Sequence, residues 1–129
     1  YDSICAREGT GAGALFFLRH VLGRDAFEAL PERARHRIAG LGPAIRRDAD
    51  ALDAHPIDYG AYATIQLPCL LLGGDRSPAF FQETLRALES AMSGSRRETI
   101  PNAGHAMPGD NPRAFHTALS RFVTELSPE

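Results

Sequence analysis

Cysteine is scarce in this chain, and that scarcity removes a whole class of scaffolds. Only Cys5 and Cys69 occur among 129 residues, too few for a disulfide framework to hold the fold together. Cys69 lies inside the apolar run "PCLLL", where a reduced, buried thiol acts as a small hydrophobe. This usage points to a reducing, cytoplasmic setting, with a Cys5–Cys69 bridge as the lesser alternative. An excess of charge is missing too. The formal net charge is −2, which offers no electrostatic footprint for nucleic acid or an anionic membrane surface. No apolar run approaches the ~18–20 residues of a membrane span, and no basic-then-apolar leader opens the chain. Neither nucleic acid nor membrane is therefore an expected partner. His20, His36, His55, His105 and His116 show neither H-x-x-x-H nor H-E-x-x-H spacing, so neither a metal nor another cofactor is expected.

What is present suits an ordinary globular protein. Hydrophobic residues make up 43% and charged residues 23%, and a chain of this length buries roughly two thirds of its unfolded surface. It opens on Tyr1 instead of Met, which raises the expectation of a longer protein.

Up to about Gln66 the pattern is helical and irregular. "GAGALFFLRHVLG" is apolar most of the way round and meets a stop at Gly23, which predicts a mostly buried helix. "DAFEAL", with Asp25 as N-cap, predicts a short helix ended by Pro31. "PERARHRIAGLG" and "PAIRRDADALDAH" each open with Pro at a first-turn position. The second puts Ile45, Ala49 and Leu52 on one face. "GTGAG" (Gly9 to Gly13) lacks a preceding strand and the glycine spacing of a dinucleotide fingerprint, so it reads as an entry to the following helix.

From Leu67 the character changes. "LPCLLLGG" is a short continuous apolar run ended by two glycines, as in a strand buried on both faces. "SPAFFQETLRALESAMSG" then spaces Phe81, Leu85, Leu88 and Met92 as a helix does, with Gly94 as stop. "RRETI" is a second strand. "NPRAFHTALSRFVTEL" starts a last helix with Asn111 as N-cap and Pro112 in its first turn. Strand, helix, strand, helix predicts an α/β fold with a parallel β-α-β unit closed by a packing helix. Ligands bind at the C-terminal ends of such strands. The two loops leaving those ends are "GGDRSP" and "PNAGHAMP".

The stretch "LPCLLLGGDRSPAFFQETLRALESAMSGSRRETIPNAGHAMPGDNPRAFHTALSRFV" resembles the C-terminal portion of the α/β-hydrolase family. There the last two core strands carry an acid loop of G-x-x-D-x-x-x-P type and then a "GAGH" loop with the catalytic histidine. The resemblance covers about residues 66 to 126. It implies a partial α/β-hydrolase fold, with residues 1–65 as a helical cap-like region and 66–129 as the C-terminal part of the core.

The resemblance also implies roles. His105 would be the general base, taking the proton of a serine hydroxyl and returning it to the leaving group. The customary acid position falls on Ser77. Asp75, two residues earlier, has two readings: the triad acid, or the cap of a helix starting near Pro78. Some members of the family take the acid from an earlier strand instead. Phe80 and Met107 flank the two loops as packing residues or as walls of a small-molecule substrate site.

No G-x-S-x-G elbow occurs in the chain. "MSGSRR" lacks the spacing, and "GTGAG" has threonine and alanine between its glycines. Nucleophile and oxyanion hole are therefore expected upstream of Tyr1, and the chain alone is expected to form no acyl-enzyme. The alternative is an inactive module that works by association. A bare strand edge at Cys69–Leu72 would then pair with a second copy, giving a homo-oligomer.

Overall fold

The structure, a computed structural model, describes residues 1–126. Residues 127–129, the end of the expected core region, lie outside that description. The chain divides into two compact units, Tyr1–Ile57 and the residues from Asp58 onward.

The first unit is all helix: α1 (Asp2–Glu8), α2 (Thr10–Leu22), α3 (Arg24–Glu28), α4 (Glu32–Gly40) and α5 (Gly42–Ala54). Gly9 and Gly23, at φ 86° and 85°, break the chain on either side of α2, a backbone region that costs other residues. Asp25 is not an N-cap. It sits in the first turn of α3, behind Gly23, where a carboxylate suits the helix dipole. The packing of α2 also differs from the expectation of a mostly buried apolar helix. Its buried residues are Gly13 and Ala14, while Phe16 and Phe17 stand 47% and 44% exposed.

Small residues explain that choice, because they let backbones approach. A Cβ on Gly11 would stand 3.1 Å from the Ala39 carbonyl oxygen, and one on Gly42 would stand 2.5 Å from that of Thr10. A Cβ on Gly13 would overlap Cys5 Sγ. The glycines of "GTGAG" thus serve close helix packing as well as helix entry. Arg46 fastens the unit from outside, bonding Asp2 at 2.8 Å and Asp50 at 2.7 Å. Its guanidinium carbon lies 5.8 Å from the Tyr1 ring centre.

The second unit runs α6 (Tyr59–Tyr62), β1 (Cys69–Gly74), α7 (Ala79–Ala91), β2 (Ser95–Ile100), α8 (Met107–Asp110) and α9 (Pro112–Leu126). Asp58 caps α6 by accepting the Gly60 N–H at 2.9 Å. α6 packs against α7, within the unit that starts at Asp58.

β1 and β2 pair in parallel, in register from Cys69 opposite Ser95 to Gly74 opposite Ile100. With α7 as crossover, the expected α/β class and parallel β-α-β unit are present. Asn111 caps α9 as expected, its side-chain oxygen accepting the Ala114 N–H at 3.1 Å. The core of this unit joins Ile100, Ala103 and Ala118, with Leu72, Met107 and Ala114 packed against them. It therefore sits directly beneath the loop that follows β2. Cys5 and Cys69 are free, half-buried thiols.

Candidate functional site

The loops leaving β1 and β2 are laced together by their backbones. The Asp75 N–H donates to the Ile100 carbonyl at 3.1 Å, and the Arg76 N–H to that of Ala103 at 2.9 Å. Gly74 is required at this junction. A Cβ there would collide with the carbonyl oxygens of Ala103 and Gly104, so only a glycine lets the two chains come this close. Gln82 on α7 reaches back to donate to the Gly74 carbonyl at 2.8 Å.

Side chains complete the lacing. The Asp75 carboxylate accepts the Asn102 N–H at 3.0 Å and the Ala103 N–H at 3.1 Å, one on each oxygen. The Arg76 guanidinium donates to the Asn102 carbonyl. From the other side, Asp110 accepts the Gly104 N–H and Asn111 donates to the Pro101 carbonyl, both at 2.8 Å. Asn102 holds φ 55°, a left-handed conformation that Asn tolerates better than most residues. Residues 101–104 are thus fixed at nearly every polar backbone group.

His105 follows this fixed segment. It is exposed, and its imidazole lies flat on the Phe81 ring, with centroids 3.9 Å apart and planes 11° apart. Among the described residues no hydrogen bond engages either ring nitrogen. An imidazole so held is free to take a proton from a group brought against it, or to give one.

Asp75 lies in the adjacent loop, but no hydrogen bond joins it to His105 among the described residues. Nor does it cap α7, whose N-cap is Pro78 and receives no side-chain bond. The Asn102 N–H, helped by the Ala103 N–H and the Arg76 charge, holds the Asp75 carboxyl below the usual carboxylate range, against a smaller opposing effect of burial. Ser77 closes a turn through its N–H on the Gly74 carbonyl.

The two residues flanking the loops part company. Phe80 is 37% exposed, its ring 4.1 Å from that of Phe81, so it borders the aromatic stack beside His105. Met107 packs on the Ile100, Ala103 and Ala118 cluster and so supports the loop from below.

An open cleft of about 330 Å³ lies between β2 and α9, with Ile100, Asn111, Arg113 and Thr117 among its walls; His105 is not one of them. Another, of about 280 Å³, lies in the helical unit among Phe16, Arg19, His20 and Arg24. Among the described residues no three His, Cys, Asp or Glu side chains gather as metal ligands. No described helix is long and apolar enough to cross a membrane.

Reading by sequence missed Phe81 as the partner of His105, along with Arg76, Asn102 and Asp110 as loop fasteners. Of these only Asn102 carried a signal, an Asn between Pro and Ala-Gly in a turn after a strand. No family model matches the chain, and no curated protein or solved structure matches it.

Proposed function

We propose that this chain is the C-terminal segment of a serine-type α/β-hydrolase acting on ester, amide or related acyl bonds, with His105 as general base. The observation that carries the reading is the presentation of His105: an imidazole whose nitrogens make no hydrogen bond among the described residues, just beyond a parallel strand, on a loop fixed by hydrogen bonds. Such rigid placement is what a proton-transfer group needs. The nucleophilic serine and the oxyanion donors come from sequence outside this chain, which has no elbow motif.

Apolar surface in the second unit supports its belonging to a larger sheet. Leu67, just before β1, is 72% exposed, and residues 69–72 of the strand are only half-buried, whereas parallel sheets normally have both faces covered. In this reading the helical unit is the cap-like region that the resemblance implies, and a small molecule is the substrate. A reducing, cytoplasmic setting suits the two free thiols.

A second reading, an inactive module joined to another copy, draws on one observation. Among the described residues β1 pairs only with β2, and its other edge is the kind that recruits a strand. Labelling with a fluorophosphonate separates the two. In the longer protein, a serine of an upstream G-x-S-x-G should take the label, and the 129-residue chain alone should take none. A longer protein that carries the motif yet stays unlabelled would leave the association reading in place and remove the hydrolase one.

A further inference from the structure

We infer that Asp75 is a positioning residue for His105, clamping the backbone of the histidine loop instead of taking the imidazole N–H as a triad acid would. The inference deepens the reading of His105 as general base and rests on it. Both carboxylate oxygens are engaged by consecutive backbone N–H groups, those of Asn102 at 3.0 Å and Ala103 at 3.1 Å. A carboxylate held by two amides is fixed by charge-assisted bonds, about twice the strength of neutral ones.

The same loop contact is doubled by Arg76, which gives its N–H to the Ala103 carbonyl and its guanidinium to the Asn102 carbonyl. Together, Asp75 and Arg76 satisfy donors and acceptors of the two residues that lead into Gly104 and His105. The ring itself is oriented by a different device, the flat stack on Phe81 at 3.9 Å. Backbone clamp and ring platform thus do between them what a carboxylate on the imidazole does in a triad. The acid of the proposed hydrolase must then come from a residue other than Asp75.

The depressed carboxyl agrees with this arrangement. Arg76 beside it is the charge that acts on it. His105 and Asp110, the latter bonded to the Gly104 N–H, are the titratable groups of the facing loop and α8. The sign follows directly. A carboxyl lowered by folding contributes fully above its unfolded value, and that contribution is lost as pH falls through the folded value.

The test is nuclear magnetic resonance of the full chain, in wild type, D75N and D75A. In D75A, exchange at the Asn102 and Ala103 amides should quicken by about tenfold or more, while the amides of Leu70–Leu72 hold. The upfield ring-current displacement of the His105 ring protons should collapse toward the free-imidazole value. D75N keeps one acceptor oxygen and should fall between the two. Its His105 titration midpoint should match the wild type.

Unchanged exchange at both amides would overturn the inference. So would a His105 midpoint lower in D75N by about one pH unit or more, the mark of a carboxylate lost from the imidazole. Should D75A fail to fold, acid titration of the wild type decides. The Asn102 and Ala103 amide protons should move together as Asp75 protonates, and their silence would overturn the clamp. None of these readouts measures turnover, so the clamp and the hydrolase reading can fail separately.

Discussion

The two units of this chain solve the problem of close approach in opposite ways. In the helical unit, small side chains let helices close up: Gly11 against the Ala39 backbone, Gly42 against that of Thr10, Gly13 against the Cys5 side chain. Backbone hydrogen bonds stay within helices and the turns beside them, and the polar fastening between helices is by exposed side chains, as at Arg46 with Asp2 and Arg19 with Glu28. In the second unit the close approach is between loops, at Gly74 against Ala103 and Gly104, and it is sealed by hydrogen bonds across the contact. Apolar contact of the first kind is non-directional, whereas hydrogen bonds fix direction. The second kind of contact fixes the loop that leads into His105.

The largest expected break in that contrast is Gly74→Ala. Its Cβ meets carbonyl oxygens that cannot move without undoing the Arg76 bond to Ala103. The substitution should cost about 3 kcal/mol, the upper end of overpacking, read by denaturant unfolding, and His105 should lose its ring-current displacement. A stable variant with His105 undisturbed would mean that the loop contact is looser than described.

Gly42→Ala is the matching probe of the helical unit. Its Cβ would stand 2.5 Å from the Thr10 carbonyl, but helices can slide apart where crossed loops cannot. A cost of about 2 kcal/mol is expected, with the His105 resonances left in place. If this change disturbs His105 as strongly as Gly74→Ala does, the two kinds of contact are not independent and the comparison fails.

What was legible in the sequence follows the same line. The apolar run with its glycine pair, the spacing of Phe81, Leu85 and Leu88, and Asn111 before Pro112 are periodic or capping signals, and they led to β1, α7 and α9. Helices α1, α6 and α8 are at most seven residues long, too short to show a period. Asp75 was read as acid or helix cap, because those are the partners that a carboxylate advertises in sequence. Its actual partners are backbone N–H groups 27 and 28 residues away, and every residue but proline carries one. Phe81 was visible as one of a helical stripe, yet its contact with the His105 ring depends on where two loops meet. Met107 flanks the histidine in sequence and supports it from the core, a direction that spacing does not reveal.

The central claim is that His105 moves the proton of a nucleophile. Its most direct measurement is the turnover of an activated ester by the longer protein that carries the serine, with His105 and with His105→Ala. The account predicts a fall in kcat of about a thousandfold or more, with the fold retained. A variant whose kcat stays within about tenfold of the wild type would contradict it.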